Sequence, residues 1–477
     1  MHLPPSQPAA ASPGAAHLAQ EPAPALDGQP HLRVPRHERL VLDNGVTLTI
    51  VPRHDVPLVA FSAVLRGGAL GDPPGKAGLA ALVAGLLEKG SGSRNAFAFA
   101  DAVEGAGGSL HVTAGAEHLA LSGQFLSRNQ QPMLRLLADA LLAPHFAAEE
   151  LEKVRARNIE LIKAAKDSDP SELLPAYGRA FLFGDHPYGS PVGGSEASLA
   201  SILARDVLEY YRAQLGAERL ALIFAGDVDA RYLKKAVVTA LGAWRPAGEQ
   251  TRQLPAPSRA TDRRVLLIDA PGSAQSYFWV AGLGVDKRYP QRAALDLVNA
   301  LYGGRFTSLL NSELRIRTGL TYGATSSFMR GSVPGEFAIR SSVQTRHTAR
   351  ALELTLGTLA RLKSTGVSQE MLDSARAYVL GQYPLSFETA ADWAHAFGEL
   401  EVYGLAPDYI ESYHAALAAV TLGDTRRVIA EAFPEPEQMA IVAIADAAQT
   451  RRQLAGFGPL TEMPFTLPSF AAPGPAH

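Results

Sequence analysis

The chain has 477 residues, of which 47% are hydrophobic and 19% are charged, so it is long enough for two or more globular cores. Its formal net charge of −3 gives no positive field that would gather nucleic acid or anionic lipid, and we expect neither as a partner. The sequence contains no cysteine, which excludes disulfides, thiolate catalysis and cysteine-ligated metal sites.

The first predicted segment is a leader rich in proline and alanine, residues 1–32. It has few charges and no hydrophobic periodicity, which is typical of a disordered segment. It lacks the basic start and the continuous apolar stretch of a signal peptide, and no later segment approaches the ~18 apolar residues of a membrane span. Such a leader fits a periplasmic protein whose signal has been removed, and a cytoplasmic location is the alternative.

The next predicted element is a helix in the stretch GKAGLAALVAGLLEKGSGSR, residues 75–94. Ala80, Ala81, Ala84 and Gly85 leave one stripe of this helix with almost no side chain. A helix face of this kind is either packed closely against another element or left vacant.

An internal repeat divides the chain into two halves. Residues 201–229 and 419–447 each show an aspartate predicted to cap a helix (Asp206 and Asp424), an amphipathic helix, a break and an apolar strand. The two units lie about 220 residues apart. We therefore expect the following segments: an N-terminal half at 33–245, a linker at 246–261, a C-terminal half at 262–450 and a C-terminal tail at 451–477.

The pattern within each half predicts the fold class. Alternating stretches such as SLHVTAGAEHLALSGQFL (109–126) and GEFAIRSSVQT (335–345) predict strands of a mostly antiparallel sheet. Segments such as 149–166 and 348–363 predict helices with one apolar face. The predicted fold class is α+β, with two similar halves, each a mostly antiparallel sheet covered by helices on one side.

Several motifs give the chain a family resemblance. GLAALVAGLLEKG (78–90), DHPYGSPVGG (185–194) and NALYGGRFTSLLNSELRIRTGLTYG (299–323) resemble the pitrilysin/insulinase-like metallopeptidases, or inverzincins, in their short bacterial two-half form. The resemblance runs from about residue 36 to residue 448. The zinc motif H-x-x-E-H of that family falls on Ala81, Ala84 and Gly85, so the resemblance implies a degenerate metal site and no metal in this chain.

Glu160, in the stretch RNIELIK, matches the position of the family's third zinc ligand. Catalytic zinc needs about three protein ligands, and one carboxylate does not hold it. We therefore keep Glu160 as a degenerate metal-site position, and we favour the interpretation that it is an ordinary charged residue on an amphipathic helix.

The histidines give no metal site by themselves. Strand alternation places His111 and Glu117 on one face and His118 on the other, which argues against a shared metal. His186, in DHPYG, is interpreted as a loop histidine with a packing role.

The C-terminal half keeps a motif that the family uses on its substrate. The resemblance implies that Arg315, and Tyr322 seven residues later, bind substrate carbonyls near a zinc ion, with Gly303 and Gly304 as further substrate-binding positions. Tyrosine can donate to the oxygen that becomes negative in the transition state, and arginine offers five donors and a permanent charge. These residue types are therefore suited to stabilising peptide hydrolysis.

A chain that keeps this pair but lacks zinc ligands resembles one subunit of the family's heterodimers. The resemblance implies a homologous partner that contains H-x-x-E-H and holds the zinc, with unfolded peptides hydrolysed in a chamber between the subunits. We expect no cofactor in this chain, no activity when it is alone, and metalloendopeptidase activity when it is paired. The alternative is a catalytically inert structural or substrate-recognition subunit of a peptidase-derived complex.

Overall fold

A computed structural model of the protein describes residues 32–250 and 252–472. The predicted leader lies outside these residues except for its last position. The strands are β1 (Glu38–Val41), β2 (Thr47–Pro52), β3 (Leu58–Arg66), β4 (Gly90–Ser91), β5 (Arg94–Asn95), β6 (His111–Ala114), β7 (His118–Leu126), β8 (Leu220–Gly226), β9 (Arg264–Asp269), β10 (Gln275–Leu283), β11 (Ala324–Phe328), β12 (Glu336–Gln344), β13 (Ala440–Ala445) and β14 (Leu460–Pro464).

Helices connect these strands. The α-helices are α1 (Leu79–Leu87), α2 (Ala96–Gly105), α3 (Gln130–Leu142), α4 (Ala148–Ser168), α5 (Leu174–Phe183), α6 (Glu196–Ser201), α7 (Ala204–Gln214), α8 (Ala230–Leu241), α9 (Arg292–Asn299), α10 (Leu309–Asn311), α11 (Thr348–Thr365), α12 (Gln369–Gln382), α13 (Ala390–Tyr403), α14 (Asp408–Ala419), α15 (Leu422–Ala432) and α16 (Ala447–Ala455). Two π-helical segments, Ala300–Gly304 and Ser312–Arg317, flank α10. The 3-10 segments are Gly68–Gly71, Ser127–Asn129, Pro170–Leu173, Pro187–Gly189, Ala217–Arg219, Thr345–His347, Tyr383–Phe387 and Pro436–Gln438.

The predicted pair of mostly antiparallel sheets is confirmed. The first sheet has the order β1-β2-β8-β3-β7-β6, and only the β2–β8 pairing is parallel. The second has the order β11-β12-β10-β13-β9-β14, with parallel pairing of β9 to β13 and to β14. In each half the central strands are buried on both faces, which explains why β8 and β13 are continuous apolar runs without alternation.

The internal repeat corresponds to equivalent elements of the two halves, since α7 leads into β8 and α15 leads into β13. The predicted capping role of the two aspartates needs a correction. Asp206 and Asp424 lie inside the first turn, where their carboxylates accept hydrogen bonds from the backbone N–H groups of Leu203 (2.8 Å) and Thr421 (2.9 Å). Neither is the N-cap residue: Asp424 completes a capping box with Thr421, whereas Asp206 makes only this one bond of the box, because the N-cap residue Leu203 has no side-chain acceptor.

Each half also covers the other half's sheet. Helix α13, from the C-terminal half, packs on β3 and β8 of the first sheet, and α5, from the N-terminal half, packs on β10 and β13 of the second. A glycine allows close approach in both cases. A Cβ at Gly178 would meet the Trp279 ring at 2.6 Å, and a Cβ at Gly398 would meet Ser62 Oγ at 2.9 Å. In each half, its own helices cover one face of the sheet, as predicted, and a helix from the other half covers the second face. We call this reciprocal packing of α5 and α13 the helix exchange.

The C-terminal half extends past the predicted boundary at residue 450. Strand β14 pairs with β9 as the sixth strand of the second sheet, and Met463 on that strand is fully buried. Phe470, beyond it, packs edge-on against the ring of Tyr177 on α5, with ring centroids 4.8 Å apart. The described part of the predicted tail, residues 451–472, therefore contributes to the sheet and to the core under α5.

The described residues of the predicted linker 246–261, all except 251, carry neither a helix nor a strand. They are held against the N-terminal half, since the N–H of Gly248 donates to the carbonyl of Arg212 at 3.0 Å and His186 Nε2 donates to the carbonyl of Pro255 at 3.0 Å. The packing role predicted for this histidine therefore includes fastening the linker. No helix in the described part of the chain is long and apolar enough to cross a bilayer.

Candidate functional site

Arg315 lies on the surface, in the π-helical segment Ser312–Arg317. Its guanidinium carbon lies 4.7 Å from the centroid of the Phe306 ring, and Phe306 itself is 58% exposed. Within the described residues, the guanidinium makes no hydrogen bond or ion pair. A charged group that stacks on an exposed ring and keeps its donors free is available to an external carbonyl or carboxylate.

Tyr322 is 92% exposed, in the segment that joins the π-helical turn to β11. Its backbone neighbours are held in place although its side chain is not. The Thr321 hydroxyl donates to the carbonyl of Gly323 at 2.9 Å, and Ser341 of β12 donates to the same carbonyl at 2.9 Å. The tyrosine therefore projects from an anchored loop, which lowers the entropy lost when its hydroxyl binds a ligand.

Glu313 anchors the turn that carries Arg315. Its buried carboxylate binds Arg317 on the same turn and Arg361 of α11, the latter at 3.2 Å. The hydrogen bond from Arg317 and the charges of both arginines hold the pKa of Glu313 below its usual value. The sequence motif did not identify this residue, and its contacts show that it positions the turn.

The two glycines of the motif have different surroundings. Gly303 is buried under β11, where a Cβ would meet Ser326 Oγ at 2.5 Å, so close packing requires a glycine at this position. Gly304 is exposed at the end of the first π-helical segment. Only the second glycine is accessible to a ligand.

The small-residue stripe of α1 is packed closely, and it is not a vacant site. Ala84 is 2% exposed, and a Cβ at Gly85 would meet Val154 Cγ1 of α4 at 3.0 Å. Ala81 is half-buried on the same helix. Val154 Cγ1 thus crowds the position from which a second histidine of the zinc motif would project.

Glu160 lies on the exposed face of α4. Its side chain is 69% exposed and its carboxylate accepts a hydrogen bond from Lys163 at 2.8 Å, one turn along the helix. The interpretation as an ordinary charged helix residue is the one that this geometry favours. No group of three or more histidine, aspartate or glutamate side chains in the described residues is arranged to hold a metal ion. This chain's own residues therefore do not fit a catalytic zinc.

The hairpin β6–β7 separates its two histidines. His111 pairs across the hairpin with Ser122, whereas His118 lies at the start of β7, where burial lowers its pKa. Glu117, between the strands, accepts hydrogen bonds from the Tyr188 hydroxyl at 2.7 Å and from the backbone N–H of Ser332 at 2.8 Å. This carboxylate joins the DHPYG segment to a loop of the C-terminal half, a role that the sequence did not reveal.

A cavity of about 710 Å³ lies where the two halves and the linker meet. Asp72 on its wall caps α1, because its carboxylate accepts from the backbone N–H groups of Gly78 (2.9 Å) and Ala80 (2.8 Å). Burial raises the pKa of Asp72 to about 7, and these hydrogen bonds oppose the shift. Acidic residues outnumber basic ones on the wall; they are Asp72, Glu117, Asp206, Glu209 and Glu249, against Arg66 and Arg252.

Comparison with known families confirms the resemblance. A family model described as "Insulinase (Peptidase family M16)" matches residues 51–196, and a second described as "Peptidase M16 inactive domain" matches residues 201–379. The first match lies within the N-terminal half and contains α1, whereas the second begins just before α7 of the N-terminal half, crosses the linker and ends within α12 of the C-terminal half, so it contains Arg315 and Tyr322.

Individual proteins give the same result. The chain is 25% identical over 334 residues to an "Uncharacterized zinc protease" of Mycobacterium leprae, covering 69% of this chain and 74% of that protein. It is 24% identical over 340 residues to "Non-peptidase homolog YmxG" of Helicobacter pylori, covering 70% and 77%. The crystal structure of a peptidase M16 inactive domain from Pseudomonas fluorescens superposes with a TM-score of 0.80 at 22% identity, covering 86% of this chain and 98% of that chain, and shares the fold.

Proposed function

Since the chain belongs to the M16, or insulinase, family of peptidases, we propose that it is the subunit without zinc in a two-chain metallopeptidase. In this proposal a homologous partner with an intact H-x-x-E-H motif holds the metal, and this chain supplies Arg315 and Tyr322. The substrates are unfolded peptides, which bind in a chamber between the two subunits.

The observation that carries the proposal is the contrast between the two motifs. Helix α1 carries Ala81, Ala84 and Gly85 where the family motif has its zinc ligands, and Val154 crowds position 85, whereas the side chains of Arg315 and Tyr322 are both exposed. Because these exposed side chains have no hydrogen-bond partners in the described part of the chain, the protein loses no internal hydrogen bond when they bind an external group. The fold of the chain does not require Arg315 and Tyr322 to be exposed in this way, so we attribute the arrangement to substrate binding.

The chemistry follows from the two side chains. The partner's zinc would polarise the scissile carbonyl and activate water. Arg315 would hold a neighbouring peptide carbonyl through its guanidinium donors, with its plane set by the Phe306 ring. The hydroxyl of Tyr322 would donate to the oxygen that gains negative charge as water adds, which stabilises the transition state more than the ground state.

A catalytically inert role is the second candidate. The relative named "Non-peptidase homolog" favours it, because a chain of similar length and sequence bears that description. In this case the chain would be a structural or substrate-recognition subunit, and Arg315 and Tyr322 would have no effect on turnover.

The test measures zinc content and peptidase activity of the purified full chain, first alone and then mixed with an H-x-x-E-H-containing homologue from the same organism. The proposal expects no zinc and no cleavage by the chain alone, and chelator-sensitive cleavage of an unfolded peptide on mixing. Stoichiometric zinc with activity in the isolated chain would contradict it. A stable complex that stays inactive would favour the inert subunit.

A further inference from the structure

A second cavity, of about 220 Å³, lies at the base of the crossing helix α13. Its wall combines residues of α9, α13 and α14 with the 3-10 segment Tyr383–Phe387. It therefore lies where the C-terminal half sends α13 across to the first sheet. This place is separate from the Arg315–Tyr322 turn.

The cavity wall carries an excess of positive charge. Its ionised groups are three cations, Lys287, Arg292 and Arg330, and two carboxylates, Asp296 and Glu399. Arg330 binds Asp296 at 3.2 Å, and Lys287 binds Glu399. Within the described residues, no carboxylate lies within 4 Å of the Arg292 guanidinium nitrogens, so this is the cation without a counter-ion.

Two tyrosine rings hold the Arg292 guanidinium. Its carbon lies 3.3 Å from the centroid of Tyr409 and 4.4 Å from that of Tyr413. Both rings are fixed by their hydroxyls, since Tyr413 donates to Asp296 at 2.6 Å and Tyr409 to the carbonyl of Lys287 at 3.2 Å. A guanidinium stacked in this way keeps its plane fixed and its edge donors free.

The other stacked arginines show that free donors are unusual in this protein. Arg245, Arg264 and Arg305 each stack on an aromatic ring and also donate to a backbone carbonyl, at 3.0, 2.8 and 3.2 Å. Among the stacked arginines of the described residues, only Arg292 and Arg315 donate no hydrogen bond within the chain. Arg315 is the residue proposed above to bind substrate.

We propose that this cavity binds a small oxyanion of the size of phosphate, held by the free edge of Arg292. A planar fork of donors matches two oxygens of such an anion, and the charge-assisted bonds are the strong kind. The bound anion would balance the excess positive charge and would tie α9 to α14 and to the base of α13. The proposal does not depend on the peptidase function.

The test uses the full chain and inorganic phosphate, measured by titration calorimetry against potassium chloride at matched ionic strength and pH. The expected result is saturable binding of one phosphate per chain, weakened by at least about tenfold in Arg292→Gln, because this variant loses the charge-assisted hydrogen bonds to the anion. Arg245→Gln is the matched control, since it removes the same charge from another tyrosine-stacked arginine and should leave phosphate affinity unchanged.

Two results would overturn the proposal. One is the absence of saturable phosphate binding by the wild-type chain, and the other is equal affinity in Arg292→Gln and wild type. Arg292→Lys covers the case in which the glutamine variant does not fold, because lysine keeps the charge but not the planar fork. It should also bind phosphate more weakly than wild type, and unchanged affinity would contradict the role of the guanidinium edge.

Discussion

The Cα atom of Gly178 on α5 lies directly against the indole of Trp279 on β10, so that a Cβ there would stand 2.6 Å from Cδ2 of the ring. Trp279 is completely buried, which leaves the ring no room to retreat. This contact joins a helix of the N-terminal half to the sheet of the C-terminal half. The contribution of the helix exchange to the stability of the protein can therefore be tested by a substitution at this one position.

Gly178→Ala should lower the free energy of unfolding by about 1–3 kcal/mol, the usual cost of overpacking. The measurement is denaturant or thermal unfolding of the full chain. Gly381→Ala on α12 is the matched control, because a Cβ there meets nothing within 4 Å. It should be neutral or stabilising by up to about 1 kcal/mol, as alanine is the better helix former. Equal effects of the two substitutions would refute close packing at Gly178.

Rebuilding the zinc motif should not rebuild a zinc site. The triple variant Ala81→His, Ala84→Glu and Gly85→His should lose stability, because Val154 occupies the space next to position 85. It should also hold no stoichiometric zinc by elemental analysis, since Glu160 faces solvent and pairs with Lys163. Adding Val154→Ala should recover part of the stability without zinc. Tight zinc binding by the triple variant would show that the site is latent.

Tyr322→Phe removes the hydroxyl that the proposed function places on the oxyanion. In the active complex, we expect kcat to fall by about 10- to 1,000-fold. The melting temperature should not change, because the side chain is 92% exposed. Tyr232→Phe is the control: it removes the hydroxyl of a surface tyrosine, 38% exposed, from α8 of the N-terminal half and should leave kcat unchanged. Normal kcat in a correctly assembled Tyr322→Phe complex would exclude the oxyanion role.

Asp72 should make stability depend on pH near neutrality. Its pKa is raised to about 7 by burial, above the value of about 3.9 in an unfolded chain, so the folded protein binds the proton more tightly. Its stabilising contribution is complete below pH 4 and is lost as the pH rises through 7. Between pH 5 and pH 8, wild type should therefore lose about 3 kcal/mol relative to Asp72→Asn, which does not titrate. Urea unfolding of both proteins at the two pH values measures this difference, and parallel profiles would refute the shifted pKa.

The contact between Glu117 and Tyr188 should couple the two residues strongly. Glu117→Ala would leave the buried Tyr188 hydroxyl and the Ser332 N–H without their acceptor, at a cost of about 1–3 kcal/mol. A double-mutant cycle with Tyr188→Phe should give a coupling energy above about 0.5 kcal/mol. The exposed Glu160–Lys163 pair is the reference, with an expected coupling near 0.3–0.5 kcal/mol. Additive effects at Glu117 and Tyr188 would contradict the bridge.

Local patterns carried much of the prediction. The two halves and the sheet type could be predicted from three local patterns: the repeat at Asp206 and Asp424, the strand alternation at 109–126 and the apolar runs of β8 and β13. They were predictable because the periodicity and the burial of a strand are visible in the order of its own residues. The resemblance located Arg315 and Tyr322 in the same way, since both lie in one short stretch. The end of the C-terminal half was missed because β14 follows a helix and a turn, and nothing local says that it returns to the sheet.

Long-range contacts explain what the sequence did not predict. An apolar helix face reveals that a helix is covered, but not which sheet covers it, and for this reason the exchange of α5 and α13 and the role of Gly178 were not foreseen. The sequence was equally compatible with a vacant or a packed stripe on α1, because the residue that contacts it, Val154, lies on another helix. Sequence alone determined that Ala81, Ala84 and Gly85 stand where the family motif has metal ligands, and that Arg315 and Tyr322 match the arginine and tyrosine of that motif. Only the tertiary structure decided that the small-residue stripe of α1 packs against α4 and that Arg315 and Tyr322 are open to solvent, because both outcomes depend on residues that are distant along the chain.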